Sequence, residues 1–121
     1  MDQAVILSTA RTPIGKAYRG SLNDTDAPTL ASYAIKASIK NAGIDPSEVE
    51  DVIIGAAVQQ GTQGYNIGRL SAAASGLPVH VPGMSVDRQC ASGLMAIAIG
   101  AKQIACKEMD IVIGGVLNLF H

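Results

Sequence analysis

Apolar and polar residues alternate along the chain in a pattern that predicts strands and helices following one another in turn. Short runs rich in Val, Ile and Leu are typical of buried strands. Such runs occur at Ala4–Thr9, Val49–Val58, Pro82–Val86 and Asp110–Val116. Helical patterns fill the intervals and begin near Pro28, Asn66 and Ala91. Strands that alternate with helices favour βαβ units, so the predicted fold class is α/β with a largely parallel sheet.

Local signals predict where the first helix begins and ends. Asp26 or Thr25 can cap its start, and Gly43 can end it because glycine readily adopts the left-handed conformation. The segment Asp45–Glu48 then predicts a single capped turn with proline at its first position. The stretch from 15 to 26 contains two glycines, an asparagine and two aspartates, and it predicts a loop.

The last helical pattern, from Ala91 to Ala105, is apolar on nearly every side. Its only charged residue is Lys102, and its other polar residues are Ser92 and Gln103. A helix of this kind is buried all round, whereas a helix that lies on one sheet buries only one face. We therefore expect a second covering layer, which the other residues of this chain do not readily supply.

Composition and charge narrow the function classes. The chain has 121 residues, 48% of them hydrophobic but only 3% aromatic, which predicts a core of small aliphatic side chains. A net charge of −1 without a basic cluster argues against nucleic acid as a partner. No apolar run reaches the roughly 18 residues of a membrane span, and no signal-peptide pattern is present. We expect a cytoplasmic protein, with an organelle matrix as the alternative.

The two cysteines, Cys90 and Cys106, flank the apolar helix. Sixteen helical residues rise about 24 Å, so the two sulfurs cannot form a disulfide. The two cysteines also lack the nearby His or Cys residues at the spacing that a zinc site requires. Cys106 falls in the last turn, where the helix dipole disfavours a thiolate, and we interpret it as structural.

Cys90 lies where a predicted strand turns into the apolar helix. The positive end of the helix dipole and its unpaired N–H groups favour the thiolate, which is the nucleophilic form. Small neighbours, Ala91 to Gly93, leave room for a substrate carbonyl. The functional interpretation is a nucleophile that carries an acyl group. The alternative is an inert buried thiol, which is the more frequent role of a free cysteine.

Four segments in order resemble the thiolase family, the acetyl-CoA acyltransferases and acetyltransferases. They are Arg11–Lys16, Gln60–Arg69, Arg88–Leu94 around Cys90, and Ile111–Val116. The resemblance implies the first half of a thiolase-like α/β fold, with a mostly parallel mixed sheet and a buried helix after the nucleophile. It implies an incomplete N-terminal domain over residues 1–116. The closing residues 117–121 depart from the family pattern and are interpreted as an atypical tail.

The resemblance also implies the chemistry. Cys90 would take the acyl group of a 3-ketoacyl-CoA or of acetyl-CoA, in reversible thiolysis or condensation, with coenzyme A thioesters as substrates and no metal or redox cofactor. A homo-oligomer is expected. The family's assisting histidine and second cysteine belong to later segments that cannot be mapped here. Two alternatives stay open: a non-catalytic half-thiolase that acts as a folding or assembly partner, and a ketoacyl synthase.

Several other polar residues are candidate site residues. His80 and His121 are possible bases, but the first is separated from Cys90 by the third strand and the second is terminal. Asp87 and Arg88 are expected to hold the Cys90 loop by an ion pair or to reach a subunit contact, with direct substrate contact as the alternative. For Arg69 a structural role and a role in the active-site wall or a subunit contact are equally favoured. Lys16 is read as a solvated lysine rather than a phosphate contact, and the loop 61–64 lacks a phosphate-binding pattern.

Overall fold

A computed structural model describes residues 2–120 and shows three layers around one small parallel sheet. The helices are α1 (Ala27–Ala42), α2 (Ile67–Ala74) and α3 (Ser92–Ala105), and the strands are β1 (Asp51–Gly55), β2 (Gly83–Val86) and β3 (Val112–Val116). The strand order is β2-β1-β3, and both pairings are parallel. The predicted α/β class and parallel sheet are therefore confirmed.

Side chains of β1 divide the core between the two faces of the sheet. Val52 and Ile54 join the main apolar cluster with residues of α1 and α2. Ile53 is fully buried outside that cluster, as the alternation of a strand requires, and it faces the side on which α3 packs against β1 and β3. The central strand is thus covered by helices on both faces.

The helix ends follow the local signals of the sequence. Asp26 caps α1 by accepting a hydrogen bond from the Thr29 backbone N–H at 2.8 Å, and Gly43 ends the helix at a φ of 69°. The turn Pro46–Glu48 is a 3-10 turn with a complete capping box. The helix predicted to begin near Asn66 is α2, and Asn66 caps it.

The prediction of a strand at Ala4–Thr9 is wrong. This segment forms no strand, and Val5, Ile6 and Leu7 are between 60% and 76% exposed. Ser8 instead donates its hydroxyl to the Ser38 carbonyl at 2.7 Å, which ties the segment to α1. A run of apolar residues becomes a strand only when another strand pairs with it, and no described strand lies beside this one.

The apolar helix α3 is covered on one side only. Ser92, Ala96 and Gly100 are buried, whereas Leu94 is 74% and Ile97 46% exposed. Close contact with the sheet uses glycines, since a Cβ on Gly100 would lie 2.9 Å from Val112. The described chain covers α3 on its sheet side, and its open apolar side is the one for which a second covering layer is expected.

The two aspartate caps are expected to make stability depend on pH. The hydrogen bond from the Thr29 backbone lowers the pKa of Asp26, and the Ser47 side-chain hydrogen bond lowers that of Asp45. A lowered native pKa adds stability above the ordinary value of 3.8, which is lost as the pH falls through the native value. Asp26→Asn keeps a capping oxygen but does not titrate. The melting temperature of this variant should therefore fall less than that of the wild type between pH 5 and pH 3, and equal falls would contradict this role of Asp26.

Candidate active site

The candidate site lies at the edge of the sheet where all three parallel strands end. Gly55, Val86 and Val116 are the last residues of their strands and are in register there. Cys90 follows β2 by four residues and is exposed as a free thiol. The carboxyl edge of a parallel sheet is the usual place for ligand sites in α/β folds. The fold therefore presents the thiol at the edge where such sites are found.

A tight turn carries Cys90 from β2 into α3. Gln89 adopts a φ of 51°, a left-handed conformation that is uncommon for residues other than glycine. Asp87 accepts a hydrogen bond from the Gln89 N–H at 2.9 Å. The Ala91 N–H donates to the Arg88 carbonyl at 3.1 Å. Cys90 therefore lies in a turn that is stabilised by hydrogen bonds among its neighbours in residues 87–91.

Ser92, the first residue of α3, closes the turn from the helix side. Its hydroxyl accepts the Arg88 N–H at 2.8 Å and donates to the Gln89 carbonyl at 2.6 Å. The residue is fully buried. From the sequence, Ser92 is expected only as a small neighbour of the thiol, and this role is not predicted. The available signal was a hydroxyl residue at the first position of a helix, where it commonly bonds to nearby backbone groups.

Gly55 allows the start of α3 to lie directly against the end of β1. A Cβ on Gly55 would lie 2.7 Å from the Gly93 nitrogen and would also collide with the Ser92 carbonyl group. The start of α3 therefore rests on the sheet backbone without an intervening side chain. Cys90 precedes the first turn of the helix, which is the end where the helix dipole is positive.

The other predicted site residues do not gather around Cys90. Arg69 donates to the carbonyls of Val81 and Val79, at 3.0 and 3.2 Å, and so holds the loop before β2. His80 lies in that loop at the amino end of β2, whereas Cys90 follows the carboxyl end. Lys16 is exposed. His121 lies outside the described residues.

The predicted ion pair of Asp87 and Arg88 is not formed. Within residues 2–120 the ion pair present joins Lys107 to Asp2 at 3.7 Å, far along the chain from the thiol. Asp87 uses its carboxylate on a backbone N–H of the turn instead. Neighbouring residues of an exposed loop gain little from pairing in water, whereas a backbone N–H offers a fixed donor.

Metal ligands and membrane-spanning helices are both missing from the described part of the chain. No group of three or more His, Cys, Asp or Glu side chains is arranged to hold a metal ion between residues 2 and 120. The helices of that range are too short or too polar to pass through a bilayer.

Comparison with known proteins identifies the family. The family model described as the N-terminal domain of thiolase matches residues 4–119. The chain belongs to the thiolase family. The predicted resemblance to the N-terminal part of the thiolase family is thereby confirmed, and the matched residues include the turn around Cys90. It also includes residues 117–119, while the boundary between domain and tail at 116 stays a prediction.

Individual thiolases resemble the chain along nearly its whole length. It is 42% identical over 115 residues to a 3-ketoacyl-CoA thiolase of Bacillus subtilis and 40% identical to an acetyl-CoA acetyltransferase of Cupriavidus necator. In each case the alignment covers 95% of this chain and 29% of the relative. A crystal structure of the Bacillus anthracis acetyl-CoA acetyltransferase matches with a TM-score of 0.90 at 35% identity, over 96% of this chain and 29% of that one. The chain therefore spans less than a third of the length of these thiolases.

The residues after β3 are tied to the same edge of the thiolase sheet. The Leu117 N–H donates to the Gly55 carbonyl at 2.9 Å, and Asn118 accepts the Ala57 N–H at 2.9 Å. Gln63 exchanges two side-chain hydrogen bonds with the Leu119 backbone, at 2.8 and 2.9 Å. Residues 117–119, which belong to the predicted atypical tail, thus lie beside the strand ends, at the edge of the sheet that carries Cys90.

Proposed function

We propose that this chain carries the nucleophile of a thiolase-type acyltransferase, with Cys90 as the residue that takes up the acyl group. The observation that supports this most directly is the exposed Cys90 thiol, which lies on a hydrogen-bonded turn at the carboxyl edge of the sheet. Membership of the thiolase family supports acyl transfer as the reaction class. The relatives named as 3-ketoacyl-CoA thiolase and acetyl-CoA acetyltransferase support coenzyme A thioesters as substrates.

The proposed reaction is a carbon–carbon cleavage by a thiolate followed by one thioester exchange. In thiolysis the Cys90 thiolate attacks the keto carbon of a 3-ketoacyl-CoA, the carbon–carbon bond breaks, and acetyl-CoA leaves after protonation of its new methyl carbon. Coenzyme A then attacks the acyl-cysteine, regenerates the thiol and carries the acyl group away. The first thioester bond replaces a carbon–carbon bond and the second replaces the first, so no redox cofactor or metal is needed. A thiol suits this exchange because the intermediate has the same bond type as the substrate.

The remaining features of the proposal concern context. Two free thiols support a reducing interior compartment such as the cytoplasm. The open apolar side of α3 supports a homo-oligomer or a further layer of the same protein above it. A role in fatty acid metabolism is proposed from the 3-ketoacyl-CoA substrates that the name of one relative implies.

The test is the intact mass of the purified chain after incubation with acetyl-CoA. We expect an acetyl adduct on the wild type, because the exposed Cys90 thiol can exchange with the thioester of acetyl-CoA. Cys90→Ser should lack the adduct, and Cys106→Ser, the matched control at the other end of α3, should keep it.

Absence of the adduct from a wild type that is folded by circular dichroism would contradict acyl transfer by this chain. That outcome would favour the non-catalytic alternative, a half-thiolase that acts as an assembly partner. The exposed Leu94 and Ile97 on α3 are the observation that favours this alternative, since they offer an apolar surface without chemistry.

A further inference from the structure

The turn before α3 is anchored by side chains on both of its sides. On the strand side, the Asp87 carboxylate accepts the Gln89 N–H at 2.9 Å. On the helix side, the Ser92 hydroxyl accepts the Arg88 N–H at 2.8 Å and donates to the Gln89 carbonyl at 2.6 Å. Side-chain hydrogen bonds therefore hold both peptide groups of Gln89. Asp87 binds its N–H, and Ser92 binds its carbonyl.

These bonds converge on the one residue of the turn whose backbone is unfavourable. Gln89 has a φ of 51°, and the left-handed conformation costs free energy for any residue with a Cβ. A strained backbone persists only where its surroundings hold it. Since Cys90 follows Gln89 directly, the φ and ψ of Gln89 set the direction in which the Cys90 side chain leaves the turn.

The two anchors differ in burial, and we expect the buried anchor, Ser92, to hold the turn more strongly than the exposed Asp87. Ser92 is fully buried, and its backbone lies against Gly55, so water replaces its hydroxyl less readily than an exposed group. The Arg88 N–H would then lose its partner, and the Gln89 carbonyl would keep only the Ser92 backbone N–H at 3.1 Å. Asp87 is exposed, and water can take over its part of the bonding.

We propose that Ser92 is a positioning residue for Cys90, with Asp87 as the weaker second anchor, and that together they hold Gln89 left-handed so that the thiol stays at the positive end of α3. This inference rests on the proposed role of Cys90 as the nucleophile. Ser92 contacts no reacting atom, and it acts through the turn alone.

The test measures alkylation of both cysteines by iodoacetamide at neutral pH, read by peptide mass spectrometry as the ratio of the Cys90 rate to the Cys106 rate. Cys106 is exposed at the far end of α3 and serves as an internal reference. Ser92→Ala should lower the ratio roughly five- to tenfold, because a released turn no longer holds the thiol in one exposed orientation at the start of α3. Ser71→Ala is the matched control, since this equally buried hydroxyl on α2 has no described hydrogen-bond partner, and its ratio should equal that of the wild type.

A second variant, Asp87→Ala, tests the same inference in case Ser92→Ala does not fold. Asp87→Ala changes an exposed side chain and should lower the ratio roughly twofold while the melting temperature changes little. A role of Ser92 in stability alone would lower its melting temperature and leave the ratio of the folded protein unchanged. Unchanged ratios in the folded variants would overturn the inference.

The outcome is independent of the acetyl adduct. A lowered ratio without any adduct from acetyl-CoA would support the positioning role and reject the acyl transfer. An adduct with an unchanged ratio would do the reverse.

Discussion

Gly55→Ala is expected to destabilise the chain by about 3 kcal/mol or more, because backbone atoms on both sides of the contact have to separate. The new Cβ would lie 2.7 Å from the Gly93 nitrogen and still closer to the Ser92 carbonyl group. Neither group belongs to a flexible side chain, so the start of α3 must move away from β1. A domain of this size is stable by only about 5–15 kcal/mol, and the loss is therefore a large part of the total.

The measurement is urea unfolding followed by circular dichroism, with Gly115→Ala as the matched control. Gly115 lies on the neighbouring strand β3, and a Cβ there would meet only the Ile54 Cδ1 atom at an ordinary 3.4 Å. Its free energy of unfolding should stay within about 1 kcal/mol of the wild type. Equal midpoints for the two variants would show that α3 does not depend on its close approach to β1.

The same substitution is expected to act on the candidate site. Because Ser92 holds the turn of Cys90 through two hydrogen bonds, a shift of the first helical residue carries the turn with it. In the fraction of Gly55→Ala that remains folded, the ratio of Cys90 to Cys106 alkylation should fall as in Ser92→Ala. The stability of the sheet and the geometry of the site are thus linked at Gly55.

Helix ends were predictable from sequence because their signals are local. Asp26 caps α1 with a group three residues away, and Gly43 ends it by its own backbone conformation. Asn66 caps α2 in the same way, by accepting the Arg69 N–H. Each signal needs no knowledge of distant parts of the chain.

The strand prediction for residues 4–9 is wrong for the opposite reason. Its apolar residues fit a buried strand, but a strand forms by pairing with another segment, and that partner is not encoded within the six residues. In the structure the nearest anchor is the Ser38 carbonyl of α1, which Ser8 reaches by its hydroxyl. The sequence pattern established the apolar character of the segment and left its partner undetermined.

The candidate site was predictable in position and only partly in its construction. The strand-to-helix turn placed Cys90 correctly at the start of α3, and the apolar helix correctly indicated a side that this chain leaves open. The anchors of the turn were not found, because the hydroxyl of Ser92 and the carboxylate of Asp87 become meaningful only once Gln89 is seen to be left-handed. Adjacent opposite charges suggested an ion pair, whereas the exposed loop uses one of them on its own backbone.

Ile53→Ala is the second substitution with a large expected effect. Ile53 is fully buried at the centre of β1 and faces α3, the side of the sheet with the thinner cover. Removing three carbons there leaves a cavity between strand and helix, which costs about 2–5 kcal/mol for an isoleucine. The loss should lie in the upper part of that range, because Gly100 and Gly114 already bring α3 and β3 into direct contact and leave little room for collapse.

Two comparisons make the Ile53 result decisive. Ile14→Ala removes the same atoms from a side chain that is 87% exposed, and its urea midpoint should match that of the wild type within error. Hydrogen exchange should then localise the effect of Ile53→Ala, since amides of α3 lose protection before those of α1, whose core contacts lie on the other face of the sheet. Uniform loss of protection in α1 and α3 would show that the two faces unfold as one unit, and that the helix that follows Cys90 is no weaker than the rest of the fold.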